Sequence, residues 1–231
     1  MRIKAETINS GTSGMIGKKH NYGTGPRPVP FFIMSQGKLR ILLIFCFISG
    51  AFLFINFTTD DPFISYRYAE NLASGYGLVF NKGEWVEGFS NPTWVFILSL
   101  ISFAIPDNDI YSLLWVSKVL GIIITIIGLI ITFEIEKEVN YSAFPFASLF
   151  LALNPAIWLW AVGGLETPLC MLLIALILFD EFKLNTTRVG AISAGLLAIT
   201  RPEMPLILII YLVNLLYKKR LSGSQRQFLS Y

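Results

Sequence analysis

The feature that most constrains this chain is a succession of apolar runs that approach the thickness of a lipid bilayer. A helix rises 1.5 Å per residue and the hydrocarbon core is about 30 Å thick, so a crossing takes roughly 17 to 25 mostly apolar residues. Such runs occupy 41–57, 111–133, 142–158, 167–181, 189–200 and 204–217. The runs near residues 170 and 195 are short, which suits helices packed through small residues such as Gly190, Ala191, Ser193, Ala194 and Gly195. The expected fold is an all-α polytopic membrane protein. Composition agrees: 14% of residues are charged where soluble domains carry about 25%, and the mean hydropathy is +0.62.

Charge placement orients the spans. Seven of the 18 Lys and Arg precede residue 41, whereas 41–217 holds seven against 14 Asp and Glu. The net charge of +3 therefore reports a basic tail and basic helix ends, and no nucleic-acid partner is implied. The first run follows Lys38 and Arg40 and lacks a small-residue cleavage site, so it is expected to be an uncleaved anchor behind a disordered cytoplasmic tail, 1–40. The segment 92–105 is apolar but too short for a confident crossing. If it stays on the outer side, within an outer loop 58–110, then Lys137, Lys183, Arg188 and the basic tail 218–231 all fall on the cytoplasmic side with the N-terminus, as the positive-inside rule requires. Asp60, Asp61, Glu70, Glu84, Glu87, Glu166, Arg201 and Glu203 then share the outer side, a gathering that points to function. Cys46 and Cys170 lie inside apolar runs without metal-ligand spacing and are expected to be small buried hydrophobes.

Residues 58–91 carry signals of order. Asp61-Pro62 is expected to cap and start a short amphipathic helix, with Phe63, Ile64, Tyr66, Ala69, Leu72 and Ala73 on its membrane side, stopped by Gly75 and Gly77. The turn Asn81-Lys82-Gly83-Glu84 between 78–80 and 85–86 predicts a hairpin. Asn91-Pro92 and Thr167-Pro168 repeat the cap-plus-proline start. The first loop, the turn 163–166 and the Arg201 turn all point at one volume, an open cavity at the outer leaflet.

Adjacent carboxylates at an apolar boundary repel and are partly desolvated, which favours a general-base role for Asp60 or Asp61. Arg201, Arg67 and Lys118 are candidates to hold a departing phosphate, and Tyr66, Glu87 and Glu203 are further cavity candidates. Each has a plainer structural reading. Asp61 suits a helix cap, Glu166 a dipole partner, Arg67 and Glu70 an i,i+3 pair, and Lys118 a snorkelling side chain. Trp85, Trp94, Trp158 and Trp160 fit interfacial aromatic belts.

The string from Asp60 to Leu72, followed by Gly75-Tyr76-Gly77-Leu78-Val79-Phe80-Asn81, Gly83-Glu84, Val86-Glu87-Gly88 and Ser90-Asn91-Pro92-Thr93-Trp94, resembles the first outer loop of bacterial GT-C glycosyltransferases. The nearest group is that of the mycobacterial terminal arabinofuranosyltransferase. Gly164-Leu165-Glu166-Thr167-Pro168-Leu169 and Thr200-Arg201-Pro202-Glu203 look like two further motifs of that group, and the resemblance covers 41 to about 217. It implies a GT-C-like helix bundle in the bacterial plasma membrane that moves a sugar, arabinofuranose by similarity to that group, from a polyprenyl-phosphate donor to a glycan or glycoprotein acceptor, with inversion, on the outer face. Asp60 or Asp61 would be the base; Glu166 would orient the acceptor or, with Asp61, hold a divalent cation. Members of the group are longer, so the chain is expected to be an N-terminal portion truncated near 218–231. The competing readings are a transporter or channel segment with an acidic outer vestibule, and an inactive fragment.

Overall fold

The computed structural model describes residues 35–104, 109–139 and 144–228, with side chains through 219; the tail expected at 1–40 lies outside the described residues up to residue 34. Among the described residues the chain is all-helical, with no strand. Nine α-helices follow one another in the described residues: α1 Gln36–Leu53, α2 Asp61–Ala73, α3 Pro92–Ala104, α4 Ile110–Val139, α5 Phe146–Leu153, α6 Pro155–Ala161, α7 Thr167–Phe179, α8 Arg188–Ala198 and α9 Pro205–Phe228. A π-helical turn, Asp180–Leu184, extends α7.

Among the described residues, α1 and α4 are long and apolar enough to cross a membrane. The 30 residues of α4 exceed the expected 111–133 because its last turns carry Glu134, Glu136, Lys137 and Glu138 beyond the apolar stretch. Asp109 starts it, its carboxylate accepting from the Ser112 N–H at 2.6 Å. Two apolar clusters meet on α4. Leu113 and Ile124 join Tyr66, Trp94, Leu98, Leu169, Leu173, Leu197 and Tyr211. Leu129 and Phe133 join Leu39, Leu43, Phe47, Ala152 and Val162. At Gly121 an added Cβ would lie 2.2 Å from the Ala161 carbonyl, so only glycine lets α4 approach the end of α6.

Several expectations are corrected. The run 142–158 is not one helix: Asn154 accepts from the Ala156 N–H at 2.9 Å and, with Pro155, starts α6 after α5 has ended. The hairpin does not form; the turn 81–84 closes through Glu84 N–H to Asn81 O at 3.1 Å, but its flanks are not strands. Residues 218–228 continue α9 and are not a separate tail. On α2, Ser65 and Asn71 are buried while Ile64 is exposed, because the helix packs on α3 and α4 and hydrogen-bonds through its polar side chains. Gly75 and Gly77 do end α2, both at positive φ. Trp94 is fully buried and not interfacial, its indole N–H donating to Gly164 O at 3.0 Å, whereas Trp85 is exposed. On α8, Gly190, Ser193 and Ala194 are buried but Ala191 is exposed. Cys170 is buried and Cys46 only half-buried. The 13 residues of α3 span about 20 Å, short of the hydrocarbon thickness.

Candidate functional site

Four connections converge at one end of the bundle. The α1–α2 link delivers Asp61, the segment before α3 delivers Gly88 to Asn91, and the turns before α7 and α9 deliver Leu165, Glu166 and Arg201. Together with Ile64 and Ser65 these residues line an open pocket of about 290 Å³. The segment 75–91 is held against α2 by side chains that reach back to its carbonyls. Asn71 donates to Val79 O and Phe80 O (2.9 and 3.0 Å), and Tyr68 donates to Val86 O at 2.6 Å while its ring packs on Phe89. The turn before α7 depends on Gly164, at φ +83°, where a Cβ would fall 2.1 Å from the Tyr66 hydroxyl oxygen. Its carbonyl accepts from both Trp94 and Tyr66.

The buried acid of the pocket is Glu166, 5% exposed. It occupies the position before α7 without capping it. Asn91 Nδ2 instead donates to Glu166 Oε2 at 2.6 Å, and the Ser65 hydroxyl donates to Asn91 Oδ1 at 3.1 Å. The other carboxylate oxygen, Oε1, faces Arg201 Nε at 3.4 Å, and the same Nε lies 2.8 Å from Glu203 Oε1. Nε is the nitrogen of Arg201 that lies nearest to both carboxylates, and its two terminal nitrogens donate no hydrogen bond among the described residues. Asp61 and Asn91, where α2 and α3 begin, and Glu166, where α7 begins, all line the pocket. Helix N-termini carry partial positive charge, which adds to the guanidinium and suits an anion.

The other expected site residues lie elsewhere. Asp60 takes the position before α2 that was assigned to Asp61; its side chain does not cap and it does not line the pocket. Asp60 and Asp61 are both exposed, and the buried carboxylate of the three is Glu166. Arg67 is no pocket cation: it donates to Phe80 O at 3.2 Å and pairs with Glu70 at 3.1 Å, its plainer reading. Lys118 neither snorkels nor reaches the pocket. It is 1% exposed and donates to Ile55 O and Phe57 O at 2.8 and 2.5 Å, clamping the link that leads to Asp61. Tyr66 is fully buried, hydrogen-bonded to Ser117 at 2.6 Å, and desolvation pushes its hydroxyl up to about 12 against the lowering effect of Ser117; it supports the turn and is not a cavity residue. Glu87 is exposed and does not line the pocket, and Glu203 contacts the lining through Arg201. Asn91, which sequence reasoning placed as a cap, is the residue that reasoning missed.

A divalent cation does not fit between Asp61 and Glu166. Among the described residues no three His, Cys, Asp or Glu side chains gather, and both oxygens of Glu166 already face N–H donors. No family model, curated protein or solved structure matches the chain.

Proposed function

We propose that the pocket is the sugar-transfer site of a multi-pass GT-C-type glycosyltransferase of the bacterial plasma membrane, open to the outer side, using a polyprenyl-phosphate sugar and a glycan or glycoprotein acceptor. The observation that carries this reading is the meeting of Asp61, Glu166 and Arg201, from three separate connections, in one pocket at one end of the candidate spans. In it the acceptor hydroxyl gives its proton to the Asp61 carboxylate. The acceptor oxygen bonds to the anomeric carbon from the face opposite the leaving group, and the bond from that carbon to the phosphate oxygen breaks. The electron pair leaves on polyprenyl phosphate, whose growing charge meets the terminal nitrogens of Arg201 and the starts of α3 and α7. Glu166, held by Asn91, keeps the Nε edge of Arg201 turned away from the phosphate. Asp60 has no part in the reaction.

The test is transfer of a radiolabelled pentose or hexose from polyprenyl phosphate by the full chain in proteoliposomes. Asp61→Asn is expected to lower kcat by roughly 10²- to 10⁴-fold, the usual contribution of a general base, while Asp60→Asn stays near wild type. Arg201→Gln should raise the KM for the donor. Equal turnover by wild type and Asp61→Asn would exclude the base assignment; no transfer by the wild type with any such donor would exclude the reading itself.

A further inference from the structure

We propose that Arg40, Lys137 and Lys183 form a binding site for the phosphate of an anionic phospholipid, at the end of the bundle opposite the pocket. This inference is independent of sugar transfer and rests on the two helices that, among the described residues, are long enough to cross, together with the π-helical turn after α7. Arg40 stands directly before the apolar stretch of α1, and Glu134 directly after that of α4. The two helices run antiparallel, so these positions meet at one level, with Arg40 Nη1 3.2 Å from Glu134 Oε1. That level is where hydrocarbon gives way to headgroups. Lys137, one turn further along α4, lies 3.3 Å from the same oxygen, and Lys183, from the π-helical turn after α7, lies 2.8 Å from Oε2.

Three cations from three elements thus surround one carboxylate, an excess of two positive charges held close together. Among the described residues no neighbouring acid removes the excess. Glu136 turns to the start of α5, accepting from Ala147 N–H at 2.7 Å, Ser148 N–H at 3.1 Å and the Ser148 hydroxyl. Asp180 is buried and takes the Thr186 N–H and hydroxyl and the Gly190 N–H. Glu181 pairs with Lys218, and Glu138 makes no ion pair among the described residues. The three cations stay partly exposed, at 41%, 34% and 34%, so an anion can reach them without displacing Glu134. A phosphate oxygen supplies the missing charge and the extra acceptors. A lipid fits better than free phosphate because α1 continues from Arg40 into outward apolar side chains, Ile41 at 68% and Phe45 at 65% exposure, against which acyl chains lie.

The experiment uses the full chain in zwitterionic detergent, titrated with short-chain phosphatidylglycerol, short-chain phosphatidylcholine or inorganic phosphate, reading thermal unfolding and, by native mass spectrometry, the number of lipids retained. Phosphatidylglycerol is expected to raise the melting temperature and to leave one retained lipid, with phosphatidylcholine and inorganic phosphate doing neither. Each neutralisation, Arg40→Gln or Lys183→Gln, should weaken half-saturation about fivefold. Glu134→Gln is expected to lower stability without lipid yet bind phosphatidylglycerol more tightly, because the competing carboxylate is gone. Lys218→Gln with Lys219→Gln, at the same end of the bundle but outside the cluster, should leave binding unchanged. Equal effects of both lipids or of inorganic phosphate would overturn the proposal. So would unchanged phosphatidylglycerol binding in Arg40→Gln and Lys183→Gln, or an equal loss in the Lys218 and Lys219 variant. If a glutamine variant does not fold, Arg40→Lys, which keeps the charge but loses the fork, must bind more weakly than wild type while retaining its preference for the anionic lipid.

Discussion

Asn91 has a single amide orientation that satisfies both neighbours: the Ser65 hydroxyl needs an acceptor and Glu166 needs a donor, so Oδ1 faces the first and Nδ2 the second. The direction of the Glu166 carboxylate, and through it that of Arg201, follows from this. Asn91→Asp sets two carboxylates against each other and is expected to cost about 2 to 4 kcal/mol of stability, since a buried charged acceptor loses its donor. Combining Asn91→Asp with Glu166→Gln restores a donor–acceptor pair with reversed polarity and moves the negative charge off the atom that faces Arg201. The double variant should therefore recover the wild-type melting temperature but not the wild-type KM for a polyprenyl-phosphate donor. Thermal unfolding alongside donor kinetics checks this; recovery of both would make the Asn91 contact purely structural. Glu166 and Arg201 were legible in the sequence because charges in short turns between apolar runs have few places to go. Asn91 was not, because Asn-Pro satisfies the rules for a helix start equally well when the side chain points to a partner 75 positions away.

At the scale of elements, hydropathy located the apolar runs but blurred their ends. Asn154-Pro155 carried the same start signal as Asn91-Pro92, yet it lay inside an apolar window that masked it, and the run became α5 and α6. Lys118 shows the opposite limit: a cation within α4 has no local pattern that names its partners, which are two carbonyls of the α1–α2 link. Lys118→Met leaves both carbonyls without their donor and should destabilise the chain by roughly 2 to 6 kcal/mol, at about 1 to 3 kcal/mol for each unmet group, while freeing the link before Asp61. Lower melting temperature together with faster proteolysis within 54–60 is the expected result; an unchanged protein would mean that water replaces the ammonium. The contact between α2 and the turn before α7 has its own signature. The Tyr66 hydroxyl titrates near 12 in the folded chain and near 10 when unfolded, so its contribution is intact below pH 10 and lost as pH rises toward 12. Tyr66→Phe should be less stable at pH 8 by about 1 kcal/mol, the net worth of one hydrogen bond, and should lose less stability than wild type between pH 10 and 12.

For the molecule as a whole, α4 sets the distance between two chemically different ends. No charged residue lies between Lys118 and Glu134, and those 16 steps correspond to about 24 Å, close to the hydrocarbon thickness. The pocket gathers where α4 begins and α7 starts; the basic cluster gathers where α4 ends and the π-helical turn follows α7. Lys218 of α9 reaches Glu181 in that same turn, so α9 runs from the pocket end to the basic end. If the chain spans the membrane as we propose, Glu87 and Lys219, both exposed, lie on opposite sides of it. Glu87→Cys and Lys219→Cys, each in a background with Cys46→Ala and Cys170→Ala, should then respond differently to a membrane-impermeant maleimide. In intact cells the first is expected to label and the second only after permeabilisation. Labelling of both from outside would place the two ends in one compartment and remove the separation of pocket from basic cluster; labelling of Lys219→Cys alone would invert the chain and put the pocket on the cytoplasmic side.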